Sequence, residues 1–418
     1  MIAKKYAILS VSNDGFLNDL GFGYNRELIK HGATFINYEE LYLELGNKNV
    51  QKYLLDVINE KGIEVLIFQS RPTDFHFSIE FFKLISNKVY IAMILGDVDH
   101  YFGERDVYYA QCMDLMLITD CLSKYRFRQY GVNAISFYSS YDKNKYFKAD
   151  IIKRNIGVSF VGDVTNKVNR RTNIEYLVSN GISIEVFGTG TKNGQVTLEK
   201  MVDIFNRTKI NINFAGISLQ NPFKKEPKIN NRLRQMKGRM AEIALCGGFI
   251  LSEYVPGIED VFELNKEIAV FHTKEDMLEK TKYYLKNRDE RETIAMNGYH
   301  RALRDYEISR AIPNLIGRIE EIRKKNFNKL AEIYIDKYFL KNYTTFRFFL
   351  IIKFFKLRKW KFVYEEIKIV LNNKNINYYQ AFIFFLDLTP TLKKKLLEAK
   401  RCISNLFISK KDSKLTVI

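Results

Sequence analysis

From Tyr6 to Thr273 the chain repeats one pattern: a short apolar run, a turn rich in Gly or Asp, then an amphipathic stretch. YAILSVS (6–12), ATFINYE (33–39), IEVLIFQS (63–70), VYIAMILGD (89–97), DLMLITD (114–120) and AISFYS (134–139) are short and rich in apolar residues. That is how strands covered on both faces of a parallel sheet read. Parallel strands need crossovers, and pieces such as YNRELIKHG and VQKYLLDVINEKG supply amphipathic helices for them. The pattern restarts after Lys153 with NIGVSFVGDV (155–164), ISIEVFGTG (182–190), ININFAG (210–216), FILSEY (249–254) and AVFHT (269–273). Between them, VTLEKMVDIFNRTK places Val196, Leu198, Met201, Ile204 and Phe205 as the apolar positions of a helix. The expectation is an α/β chain of two tandem Rossmann-like domains, residues 1–150 and 151–300. No self-similarity with a period of 20–50 residues stands out, which argues against a solenoid.

The charge marks a further boundary. The 418 residues carry a net charge of +18, yet residues 321–418 alone hold 22 Lys and Arg against 8 Asp and Glu. The preceding residues hold 44 against 40. The same tail contains FRFFLIIKFFKLRKWKF (346–362), so residues 326–418 read as a basic, aromatic, mainly helical extension. Basic and aromatic groups together suit an anionic surface that apolar rings can enter, such as the inner face of a membrane. A helical appendage with buried Phe and solvated Lys accounts for the same composition, and nucleic acid is a further, disfavoured partner. No stretch reaches 18 uncharged apolar residues, and MIAKKYAILSVS reads as a first strand rather than a signal segment. Cytoplasmic placement, peripheral on the membrane's inner face, is the expectation. Four scattered cysteines (112, 121, 246, 402) form no C-x-x-C pair, so a structural zinc site is not expected. Absence of a G-x-S-x-G elbow, a Walker A loop and H-E-x-x-H turns the reading away from hydrolase, P-loop and zincin chemistry.

In doubly wound sheets, ligands bind at the carboxyl ends of strands. Candidate ligand residues therefore lie in the loops after strands. Gln235–Phe249 places Lys237, Gly238 and Arg239 at a helix start, Glu242 one turn in, and Gly247-Gly248 at its stop. Cations there suit a diphosphate, and the carboxylate suits ribose hydroxyls. Gly162 and Gly188-Thr189-Gly190 end two strands and let a bulky ligand approach the backbone. Arg170 and Arg171 open the next helix and are further phosphate candidates. Solvated loop cations, and a Glu that merely favours a helix's first turn, explain the same residues one at a time.

KGRMAEIALCGGFILSEYVPGIEDVF, with NKEIAVFHTKEDMLEKTKYYLKNRDERETIAMNGY after it, resembles the donor half of GT-B glycosyltransferases, and more narrowly their CgeB-like (spore maturation protein-like) group. NIGVSFVGDV, GISIEVFGTG and ININ match that group in order, so the resemblance covers about residues 155–310. It implies a nucleotide-sugar donor on the second domain, Glu242 on the donor ribose, and a helix over 301–325 returning to the first domain. It also implies no separate cofactor or metal, the nucleotide sugar being a substrate. Retaining relatives carry another glutamate eight positions before Glu242, where this chain has Arg234. The acceptor class stays open among a glycan, a lipid-linked and a protein hydroxyl.

Asp97, Asp99 and His100 follow the strand VYIAMIL. In a GT-B frame, Asp97 or His100 serves as base toward an acceptor hydroxyl. Alternatively Asp97 and Asp99 hold a divalent ion, as in metal-dependent GT-A glycosyltransferases, or the loop merely caps a helix. Gly21 and Gly23 close the first loop, where GT-B relatives approach the donor phosphates. A protein that binds a nucleotide sugar or an anionic surface without catalysis is the rival from another class.

Overall fold

The computed structural model describes residues 3–10, 23–69, 77, 79–96, 98, 102, 106–150, 153–165, 168–216, 234–325, 337–373, 375–389 and 391. The chain gathers into two compact units. One holds two sheets, and the other is built on the helices from Lys337 onward.

The apolar runs are strands. β1 (Tyr6–Ser10), β2 (Thr34–Asn37), β3 (Val65–Gln69), β4 (Tyr90–Leu95), β5 (Leu115–Ile118) and β6 (Ala134–Ser136) form a parallel sheet in the order β2-β1-β3-β4-β5-β6. β7 (Ile156–Val161), β8 (Ile184–Phe187), β9 (Thr208–Asn213), β10 (Ile250–Glu253) and β11 (Ala269–Phe271) form a second, ordered β11-β10-β9-β7-β8 and also parallel. The chain runs one way from β7 to β8, then crosses to the other side for β9. That reversal opens a crevice between the carboxyl ends of β7 and β9.

The helices used below are α1 (Tyr24–Lys30), α2 (Ser123–Gln129), α3 (Val168–Ser179), α4 (Leu198–Arg207), α5 (Arg239–Leu245), α6 (Lys274–Lys286), α7 (Arg288–Asp305) and α8 (Ile308–Lys324). Thr197 caps α4 by accepting from the Lys200 amide at 3.3 Å, and Thr273 caps α6 by accepting from Asp276 at 3.1 Å.

Alternation along each strand decides which side chain meets which layer. On one face of the first sheet, Ile8, Val65, Ile67, Ala92 and Leu115 pack with Ile312, Leu315, Ile316 and Ile319 of α8. The helix that follows the second lobe in sequence therefore belongs to the first lobe's core. Each such buried aliphatic contributes roughly 1.5–3 kcal/mol. In β9, Ile210 and Ile212 enter the core with Val158, Phe160 and Leu251. Asn211 and Asn213 point to the other face, where Asn211 accepts from Ser159 Oγ (3.3 Å) and Asn213 donates to Ser252 Oγ (2.8 Å). Buried amides need such partners, so the polar residues of ININ lock β7, β9 and β10 in register.

The two crossings between lobes run side by side: the Tyr141 amide donates to the Tyr306 carbonyl (2.9 Å), and Ile308 N donates back to Tyr141 O (3.0 Å).

The second unit contains α9 (Lys337–Lys356), α10 (Trp360–Asn373) and α11 (Tyr378–Leu388). Arg347 and Glu366 form a buried ion pair at 2.7 Å, and Phe354 stacks on Phe362. Phe355, Trp360, Tyr364, Leu371, Tyr378 and Phe382 stay exposed. Among the described residues, no helix is long and apolar enough to cross a membrane.

Candidate active site

The crevice between β7 and β9 is spanned by one side chain. Arg170, in the first turn of α3, donates to the Asp163 carbonyl at 3.0 Å and to the Phe214 carbonyl at 3.4 Å, one on each side of the reversal. It is almost fully buried, its Nε finds no partner, and its guanidinium lies over the Phe160 ring. Burial, and then the neighbouring positive charge of Arg239, push its pKa down to about 10 against the pull of Asp163 and Glu253. A desolvated guanidinium pressed by a second one is a place where an anion is favoured.

Glycines let the strand ends pack closely. Gly162 follows β7, and a Cβ there would come 2.7 Å from Phe160 Cζ and 3.1 Å from Arg170. Gly188 follows β8 at φ +123°, and a Cβ on it would overlap the Gly162 carbonyl oxygen. The ends of β7 and β8 therefore touch backbone to backbone.

The segment before α5 threads between the lobes. Gln235 is buried and donates from Nε2 to the Gly96 carbonyl (3.0 Å) at the end of β4. The Met236 amide donates to Asp120 Oδ1 (3.0 Å), while Asp120 Oδ2 accepts from the Ser123 amide and hydroxyl. Tyr138 Oη donates to the Lys237 carbonyl. A Cβ on Gly238 would overlap Tyr141 Oη and lie 2.9 Å from Ser139 Cβ, so this position admits the first lobe's exit strand against the helix start. Arg239 pairs with Glu242 and lies over the Phe205 ring. Burial opposes its charge, but Glu242, Tyr146 and Tyr141 outweigh that and hold its pKa above the ordinary value.

The structure thus brings Gly162, Arg170, Gly188 and Arg239 to one edge, with Glu242 bonded to Arg239. Lys237 and Gly238 sit in the interlobe segment beside them. Arg171 is exposed on α3. Gly247 and Gly248 lie at the far end of α5, where they close the helix. Gly247 (φ +65°) packs on Lys148 and its carbonyl accepts from Arg154 at 2.7 Å, while Gly248 fits between Ile243 and Asn211. Seven residues of helix, about 10 Å, separate them from Gly238. Arg234 forms an ion pair with Glu253, whose other oxygen accepts from the Ala215 amide at 2.9 Å. Gly21, Asp97, Asp99 and His100 lie outside the described residues; Gly96, which precedes Asp97, reaches the interlobe segment through Gln235. Sequence reasoning missed Asp120, Gln235 and Glu253. Asp120 closes an apolar run, as ligand-edge residues do, whereas Gln235 carries no sequence signal. Among the described residues, no cluster of three or more His, Cys, Asp and Glu offers a metal site.

Residues 170–317 match the family described as glycosyl transferase-like. That segment is glycosyltransferase-like, and the two parallel sheets have a fold like that of GT-B glycosyltransferases. The chain is similar in fold to Anabaena Alr3699/HepE, solved in complex with UDP and glucose. The TM-score is 0.54 at 9% identity, covering 76% of this chain and 99% of that one. It is similar also to sucrose-phosphate synthase from Thermosynechococcus elongatus, with a TM-score of 0.50 at 10% identity over 77% of this chain and 99% of that one. At such identities the likeness is one of fold. No curated protein matches the chain in sequence. Two Rossmann-like sheets leave the GT-A alternative without support from the fold.

Proposed function

We propose that this protein moves a sugar from a nucleoside diphosphate donor to an acceptor hydroxyl, with the donor held on the second lobe. The observation that carries this is Arg170 spanning the β7–β9 crevice, desolvated and repelled by Arg239. In the transfer, the bond from the anomeric carbon to the diphosphate oxygen breaks and negative charge grows on that oxygen. Fixed guanidiniums meet that charge without a metal ion. Glu242, oriented by Arg239, takes the ribose hydroxyls, and Gly162 and Gly188 let the ends of β7 and β8 meet beside the nucleotide. Lys237 and Gly238 face the diphosphate from the interlobe segment, and Gly21 is a further candidate for the donor. Asp97 or His100 accepts the acceptor proton from the loop that begins after Gly96. Membership in the CgeB-like group, and a glycan, lipid-linked or protein acceptor, belong to the same proposal.

The test is a panel of UDP-, GDP- and ADP-sugars with mixed acceptors, following free nucleoside diphosphate. The Anabaena protein was solved with UDP, so uridine donors come first. Turnover with one base is the expected result. Nucleotide binding without turnover in any mixture would favour a binding protein instead.

The second unit adds a place of action. Its exposed aromatics (Phe355, Trp360, Tyr364) stand among exposed Lys356, Arg358, Lys359 and Lys361, the mixture that suits an anionic lipid interface. Vesicles rich in phosphatidylglycerol should float the full chain, and a Phe355→Ser/Trp360→Ser/Tyr364→Ser variant should float at least tenfold less. Equal flotation overturns the membrane assignment.

A further inference from the structure

A polar recess of about 410 Å³ lies where three parts of the first unit meet. α2 and β6 supply Lys124, Arg128 and Ser136; the loop after β10 and the end of α7 supply Asp260, Arg301 and Asp305; α8 supplies Asn314 and Arg318. It shares no residue with the Arg170, Arg239 and Glu242 group.

Its charges do not cancel. Lys124 faces Asp260 at 3.6 Å, and Arg301 pairs with Asp305 at 2.7 Å. The other two cations have no such partner. β6 is an edge strand, and its outward carbonyls are taken by guanidiniums: Arg128 Nε donates to Ala134 O (3.0 Å), and Arg318 donates to Ser136 O (2.9 Å). Among the described residues, neither arginine meets a carboxylate within ion-pair distance. Arg128, Asn314 and Arg318 are all exposed, so a ligand reaches them directly from solvent. Each guanidinium has five N–H donors and gives one to the strand edge. Four cations against two carboxylates leave two net positive charges around a space large enough for a small ligand. Asn314, one helical turn before Arg318, adds an amide on the same side of α8.

We propose that this recess binds a small phosphorylated anion through Arg128 and Arg318. The site takes residues from both lobes and from the helix that joins them. A ligand there stabilises the arrangement that keeps all three walls in place.

The test uses the full-length protein with UDP present, so that phosphate is not counted at the donor edge. Inorganic phosphate is the probe, read by equilibrium dialysis. Saturable binding is expected, weakened at least tenfold in Arg128→Gln/Arg318→Gln and largely kept in Arg128→Lys/Arg318→Lys. Because the glutamines also alter how the β6 edge is covered, Asn314→Glu provides an independent arm. It leaves both guanidiniums in place, sets a negative charge in the recess, and should weaken phosphate binding at least tenfold with unchanged UDP affinity. Competition by glucose 1-phosphate, against competition by phosphatidylglycerol vesicles, tells a soluble ligand from a lipid headgroup. Absence of saturable phosphate binding, or equal binding by the wild type and Asn314→Glu, overturns the assignment.

Discussion

Replacing Arg170 with Met is expected to raise the melting temperature of the ligand-free protein while weakening UDP binding by ten- to a hundredfold. The two effects share one cause. Burial, and then the Arg239 charge, lower the guanidinium pKa from its ordinary arginine value to about 10 on folding. Burying the charge therefore costs on the order of 3 kcal/mol. That cost is present in full below pH about 10 and fades as the pH rises toward the ordinary arginine value, because the folded state then loses its proton first. Methionine removes the charge but strands the Asp163 and Phe214 carbonyls, at roughly 1 kcal/mol each. A net gain of about 1 kcal/mol remains. Charge-assisted bonds to a diphosphate, at roughly 1.5–3 kcal/mol each, are lost. Calorimetry of the ligand-free protein and titration with UDP read the two sides separately. An arginine kept for structure alone would lower the melting temperature when replaced, and UDP binding would stand unchanged.

Gly188→Ala should lower stability by about 3 kcal/mol or more and abolish UDP binding. Its Cβ would overlap the Gly162 carbonyl oxygen and come 2.6 Å from the carbonyl carbon, and the obstacle is backbone that cannot rotate aside. A φ of +123° is also a region that L side chains rarely adopt. Gly194→Ala is the control: φ is +64° there too, but nothing lies within 4 Å of the new methyl. It should cost about 1 kcal/mol and leave UDP binding intact. Denaturant midpoints for both variants, with UDP titrations, check the pair. Equal midpoints would mean that backbone strain alone, without the meeting of β7 and β8, sets the cost.

The legible part of the fold was the part written locally. VYIAMILGD and DLMLITD cover β4 and β5, and NIGVSFVGDV covers β7, because a buried parallel strand must be apolar on both faces. Each of these strands ends two or three residues before its run does: β4 at Leu95, β5 at Ile118 and β7 at Val161. Gly162, Gly188 and Arg170 were singled out because loops after strands are few and their residue types unusual, and the structure places them together at one edge. The loop at Gly247-Gly248 resembled a ligand turn equally well, and its packing on Lys148 and Ile243 lies far away in sequence or on the helix's own face.

By itself, the sequence determined that the chain would form two parallel sheets with covering helices and a basic, aromatic tail, because burial periodicity and charge are local properties. Tertiary structure alone decided which residues of α8, the helix that the family resemblance returns to the first domain, enter that lobe's core. It also decided that Arg170 bridges β7 and β9, that Arg239 is held by Glu242, and that Gln235 and Asp120 tie the lobes together. Each of these depends on strand order and on contacts between residues far apart in the chain, which no local pattern encodes.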